Sequence, residues 1–175
     1  LKYFPKYIKR SDKIITVSQF SKQDIISCYN TDENKIEVIY NAANPLYFPQ
    51  TLEQNNITKQ KYTNGKDYFY FVGSIHKRKN LTNLFKAFDI FKENTKSDVS
   101  LVIIGNKKWW KGEIEDTYNQ MKYKESVVFT GRMEAEDVCK VSSASLGLVF
   151  VSLFEGFGIP IVESFSCHTP VITSN

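Results

Sequence analysis

From residue 67 onward, short runs of β-branched and aromatic residues alternate with longer stretches in which apolar residues recur every three or four positions. Short apolar runs bounded by turn residues predict buried strands, and the longer periodic stretches predict helices with one apolar face. The predicted strands are DYFYFVG (67–73), VSLVIIG (99–105), SVVFTG (126–131), LGLVFVS (146–152) and PVIT (170–173). Between the first two, NLTNLFKAFDIFKEN places Leu81, Leu84, Phe85, Phe88 and Phe91 at helical spacing. Further helices are predicted at about 112–123, 134–143 and 159–167. Strict alternation of this kind defines an α/β chain: a Rossmann-like, doubly wound parallel sheet that binds ligands at the carboxyl ends of its strands.

The first third is organised differently. IITV (14–17), a helix near SKQDIISCY (21–29) and IEVIY (36–40) form one β-α-β element that runs into NAANPLYFPQ. Two prolines and the amide-rich EQNNITKQKYTNGKD then predict a linker. The reading is therefore residues 1–48 as one β-α-β element and crossover, 49–66 as linker, and 67–175 as the Rossmann-like domain. The absence of an initial Met and an end just past a predicted strand suggest truncation at both ends.

Composition narrows the class. Of 175 residues, 42% are hydrophobic and 24% charged, ordinary globular usage that excludes a disordered or fibrous chain. A formal net charge of +4 is too slight a tilt to select nucleic acid as a partner. Cys28, Cys139 and Cys167 are scattered and odd in number, which suggests neither a disulfide framework nor a metal cluster and fits a reducing cytoplasm. The longest nearly apolar stretch, 146–154, is well short of the roughly 20 residues that span a bilayer.

Two stretches carry candidate chemistry. In EGFGIPIVE (155–163), Pro160 suits the first turn of a helix, so Gly158 marks the helix entrance. Unpaired amides and the positive end of the helix dipole can hold a phosphate there, and Gly156 and Gly158 let it approach the backbone. Glu163, farther along the same helix, is a costly acid unless partners satisfy it, and a ribose diol would donate two hydrogen bonds to it. A buried ion pair or a helix-surface position is the alternative for Glu163, and an exposed loop acid for Glu155. In GSIHKRKN (73–80), lysine and arginine precede a helix start and can cradle a diphosphate; otherwise this is a solvated basic turn. There is no G-x-G-x-x-G, no P-loop lysine and no Asp-x-Asp, which removes the usual support for oxidoreductases, NTPases and metal-dependent sugar binding.

Taken together, YFVGSIHKRKNL, LVIIGNKKWW, VVFTGR and LFEGFGIPIVESFSCHTPVITSN resemble the C-terminal, donor-binding domain of family-4 retaining glycosyltransferases, enzymes of the two-Rossmann-domain (GT-B) architecture. VSQFSKQDI and KIEVIYNAAN resemble the end of the acceptor domain of such an enzyme. The resemblance implies transfer of a hexose from a UDP- or GDP-sugar, with mannose and GDP by analogy, to a growing glycan or lipid-linked acceptor. It implies no metal or other cofactor, no nucleic acid, and a cytoplasmic site with peripheral contact at the inner membrane face. It also implies that this piece binds donor without catalysing transfer.

Residue by residue, the resemblance places Glu163 on the ribose hydroxyls and Glu155 against the transferred sugar. The amides of Phe157, Gly158 and Ile159 face sugar and diphosphate, beside Gly156. Lys79, with Arg78, binds the leaving diphosphate next to Gly73 and Ser74, and the base lies near Arg132 and Met133. Glu155 and Lys79 are the implied catalytic pair. Ser74 stands where many relatives carry arginine, which shifts anion binding onto Lys79. His168 replaces a usual glycine and reads as a helix cap. Competing readings are a GT-B-related epimerase or phosphorylase, and a non-catalytic module that uses LKYFPKYIKR on membrane or nucleic acid.

Overall fold

The computed structural model describes residues 3–107 and 110–174. Leu1 and Lys2 of LKYFPKYIKR, Lys108 and Trp109 of LVIIGNKKWW, and Asn175 lie outside the described residues. The chain divides into two compact units, Leu1–Ala42 with Glu155–Ile159, and Ala43–Phe154 with Pro160–Asn175.

In the smaller unit, α1 (Phe4–Arg10) precedes β1 (Ile14–Thr16), α2 (Gln19–Tyr29) and β2 (Ile36–Val38). The two strands pair in parallel, with Ile14 opposite Ile36. Helix α2 starts because the Ser18 hydroxyl accepts from the Ser21 amide at 3.0 Å, and it stops at Asn30, which takes a left-handed conformation.

The larger unit opens on a correction. Residues 49–66, expected as a linker, contain α3 (Leu52–Thr63). Its caps are good: the Thr51 side chain accepts from the Gln54 amide at 3.2 Å, and Asn64 closes it with φ 53°. No apolar stripe announced this helix, because its buried positions are Thr58 and Thr63, whose hydroxyls donate to the carbonyls of Gln54 and Lys59. Leu52 and Ile57, by contrast, face solvent.

Next come β3 (Tyr68–Val72), α4 (Leu81–Thr95), β4 (Ser100–Ile104), α5 (Glu113–Gln120), β5 (Val127–Gly131), α6 (Ala135–Ala144), β6 (Gly147–Phe150), α7 (Ile159–Ser166) and β7 (Val171–Thr173). The five strands form one parallel sheet in the order β5-β4-β3-β6-β7, the doubly wound α/β architecture expected.

A parallel sheet with helices on both faces needs apolar residues at every strand position, and the period of two sorts them. Tyr68, Tyr70, Val102, Ile104, Leu148 and Phe150 pack on one face with Val138, Val141 and Cys167. Phe71, Leu101, Ile103 and Val149 pack on the other with Leu81, Leu84, Phe85 and Phe88 of α4 and Ile114 of α5.

The two buried tyrosines need acceptors for their hydroxyls. Tyr68 donates to the Val141 carbonyl at 2.8 Å, while the Tyr70 hydroxyl lies 2.8 Å from Ser142 Oγ and 2.6 Å from Ser164 Oγ. Strand β3 is thereby fastened to both α6 and α7. Where β3 and β4 end, a Cβ added to Gly105 would sit on the Gly73 carbonyl oxygen.

Gly105→Ala should therefore lower stability by about 3 kcal/mol, the upper end of ordinary overpacking costs. Gly156→Ala, where an added Cβ meets only ordinary contacts at 3.5 and 3.6 Å, is the control. Urea unfolding of the two variants checks the contrast: the first midpoint falls and the second hardly moves.

Candidate functional site

The sheet order sets where a ligand can enter. From β3 the chain winds outward through β4 to β5, then returns to the other side of β3 for β6 and β7. The carboxyl ends of β3 and β6 thus flank the topological switch point, where doubly wound sheets leave a crevice.

Two segments meet there. After β3, Gly73 has φ 148°, Lys77–Lys79 form one 3-10 turn, and Asn80 opens α4 in a left-handed conformation. The His76 ring accepts from the Arg78 amide at 3.2 Å. After β6, the Leu153 amide donates to the Arg78 carbonyl at 2.9 Å, and the Arg78 guanidinium donates to the Phe154 carbonyl at 2.6 Å. Asn80 Nδ2 donates to the Val151 carbonyl at 3.1 Å. The basic turn is therefore stitched to the segment leaving β6 rather than loosely solvated.

Lys79 is the buried cation of this turn, 8% exposed, with Nζ 5.2 Å from the centroid of the Phe150 ring. A Cβ at Gly73 would stand 3.3 Å from Lys79 Cε, so the glycine leaves room for the lysine stem. Ser74 is exposed. Arg132 and Met133 follow β5, two strands from β3 at the same end of the sheet; Arg132 is exposed and Met133 packs against the core.

Glu163 lies half-buried on α7. Burial pushes its carboxyl above the ordinary range, and the nearby Tyr47 hydroxyl pulls more weakly the other way. It has no ion-pair partner among the described residues, so the buried-ion-pair reading falls. The neighbouring Ser164 is buried and donates to the Pro160 carbonyl at 2.8 Å. His168, with φ 56°, closes α7: its amide donates to Phe165 and the Thr169 amide to Ser164, at 3.0 and 2.9 Å. This is the cap the sequence predicted.

Residues Glu155–Ile159 group with the smaller unit. There Ser21 Oγ donates to the Gly156 carbonyl at 3.4 Å, and the Phe157 ring lies 6.3 Å from that of Tyr40. Gly158 has φ 89° immediately before α7, the conformation a glycine at a helix entrance supplies.

Tyr47, which the sequence did not single out, is buried in the cluster that holds Tyr70, Cys139 and Cys167. Among the described residues no group of three or more His, Cys, Asp or Glu could hold a metal ion, and no helix is long and apolar enough to cross a membrane.

Comparison with known proteins places this geometry in a family. Residues 53–175 match the family model described as glycosyl transferases group 1, and residues 1–45 match that described as Glycosyltransferase Family 4. The chain belongs to the group 1 glycosyl transferases, whose structural neighbours have the GT-B architecture. It is 28% identical over 163 residues to the O-antigen chain mannosyltransferase B of Escherichia coli, covering 93% of this chain. It is 29% identical over 168 residues to the O-antigen chain mannosyltransferase RfbU of Salmonella typhimurium, covering 96%. It spans 43% of the length of each of these relatives. The Anabaena protein HepE, solved in complex with UDP and glucose, superposes with a TM-score of 0.82 at 18% identity, over 95% of this chain and 45% of HepE.

The half-buried carboxylate yields a stability prediction. A carboxyl whose folded pKa is raised disfavours folding while it is ionised, and that penalty disappears as pH falls through the raised value. Glu163→Gln removes the charge, so it should raise the melting temperature by roughly 2–4 °C at neutral pH. The gain should vanish under mildly acidic conditions, which calorimetry at several pH values would show.

Proposed function

We propose that this chain is the donor-binding part of a retaining glycosyltransferase that moves a hexose from a UDP- or GDP-sugar to a glycan or lipid-linked acceptor. The observation that carries the reading is the buried Lys79 at the carboxyl end of β3, in a turn held by three hydrogen bonds to the segment leaving β6. In a switch-point crevice such a cation suits a diphosphate leaving group.

In this reading Lys79 and Arg78 hold the diphosphate, and the amides of Phe157, Gly158 and Ile159 face the phosphate and sugar. Glu155 lies against the transferred hexose, Glu163 takes the ribose hydroxyls, and Arg132 and Met133 border the base. Glycosyl transfer passes through an oxocarbenium-like state while negative charge grows on the departing diphosphate. Lysine and amide dipoles neutralise that charge in place of a metal ion. With no carboxylate assigned as nucleophile, the acceptor attacks from the face the diphosphate leaves, and the diphosphate assists in taking the acceptor's proton.

Two further observations support the reading: HepE was solved with UDP and glucose, and the two O-antigen relatives are named as mannosyltransferases. By analogy the sugar is mannose and the nucleotide GDP, at the cytoplasmic face of a membrane. Donor binding, rather than turnover, is the activity of this chain itself.

Titration of the chain with UDP- and GDP-sugars tests this. Lys79→Ala and Glu163→Ala should each weaken binding by about 10- to 100-fold, the range for loss of a charge-assisted hydrogen bond. Absence of binding, or parent-like affinity in both variants, overturns the assignment.

A further inference from the structure

We propose that Cys139 and Cys167 form a redox-responsive thiol pair: hydrogen peroxide converts them to a disulfide that staples α6 to the end of α7, and a dithiol reductant releases it. The proposal concerns the larger unit alone and does not draw on the donor-site reading.

The two sulfurs lie 3.9 Å apart in the core, with Cys139 1% and Cys167 3% exposed. A disulfide bond is about 2.05 Å long, so each sulfur travels roughly 0.9 Å, within the swing of a cysteine side chain about its first torsion. The backbone that carries the two thiols is held at this spacing. The Tyr70 hydroxyl lies 2.8 Å from Ser142 Oγ on α6 and 2.6 Å from Ser164 Oγ on α7. Thr169 Oγ1, two residues past Cys167, donates to the Ser142 carbonyl at 2.9 Å. The Cys167 amide donates to the carbonyls of Glu163 and Ser164 at 3.2 and 3.0 Å, which ties its thiol to the last turn of α7. Thiols 28 positions apart in the chain are thus presented to each other in the folded protein, and such positioning raises their effective concentration.

The pair is asymmetric. Cys139 borders an open cavity of about 310 Å³ lined also by Phe48, Gln50, Glu136 and Lys140, ample for a peroxide when one water occupies about 30 Å³. Its sulfur accepts from the Phe48 amide and from Gln50 Nε2, each at 3.5 Å. Burial, reinforced by the neighbouring Cys139 sulfur, pushes the Cys167 thiol up to about 12, so it stays protonated at neutral pH. The first step therefore falls to Cys139. Its sulfur attacks one peroxide oxygen, the O–O bond breaks, and Cys139 becomes a sulfenic acid as one water leaves. The Cys167 sulfur then attacks the Cys139 sulfur, the S–O bond breaks, and the Cys167 proton departs with the hydroxyl as a second water. Two thiols lose two electrons in all, and one peroxide gains them.

The cross-link encloses β6, the segment leaving it and α7 in one loop, so it restricts the unfolded chain and should stabilise the fold. The test uses the Cys28→Ser chain, because Cys28 is exposed and would react by itself. Treatment of the folded chain with hydrogen peroxide should remove both remaining thiols, as counted by a thiol reagent after denaturation. Mass spectrometry should show the loss of two hydrogens and a non-reduced digest in which the Cys139 and Cys167 peptides are joined. The oxidised chain should remain monomeric and melt about 10 °C above the reduced one, as a loop of this length predicts. Dithiothreitol should restore both thiols and the lower melting temperature.

Two surviving thiols, oxygen added to either sulfur in place of the cross-link, or linkage between two chains overturns the proposal and leaves the pair as core packing. A cross-link that leaves the melting temperature unchanged or lowers it overturns the staple.

Discussion

A parallel sheet has no solvent-facing side, so each strand position must be matched by a helix on one face or the other. In β3 this requirement is heaviest, because the strand has a neighbour on each edge and large aromatic side chains pointing both ways. Phe71 joins the cluster built by α4, while Tyr68 and Tyr70 join the cluster containing α6. The tyrosine hydroxyls add a directional demand that apolar packing lacks. By reaching Val141, Ser142 and Ser164 they set α6 and α7 against the sheet at hydrogen-bond precision. Helix α7 carries Glu163, and α4 begins directly after Lys79. Both candidate site residues thus inherit their places from opposite faces of one strand.

The two residues face contrasting electrostatic situations. Lys79 is buried with its ammonium over an aromatic ring, an arrangement that offsets part of the lost hydration. Glu163 is only half-buried, and among the described residues no cation pairs with it. Left alone, such an acid is a destabilising feature. A ligand that brought hydrogen-bond donors to it would offset that cost.

The periodic elements were legible in the sequence because packing wrote them there. The five strands show their burial as short apolar runs and α4 as a period of three to four, and each falls within a residue or two of its expected bounds. Helix α3 was illegible because its buried face is threonine, and its stability comes from caps and hydroxyl-to-carbonyl bonds. Helix α5 ends at Gln120 rather than near 123, because the Asp89 carboxylate on α4 accepts from the amides of Lys122 and Tyr123 and draws that turn out of the helix. Of the candidate site, the basic turn and the glutamate loop were legible as short motifs. No local signal showed that Glu155–Ile159 would cluster with Leu1–Ala42.

The reversal of winding at β3 also fixes how little of the chain could carry the crevice. One wall comes from the turn after β3 and the other from the segment after β6, with β4, α5, β5 and α6 lying between them in the chain. An excised piece beginning at β4 would keep four of the five strands and lose half the crevice. Both walls therefore lie within one uninterrupted length of chain, from β3 to the segment that leaves β6.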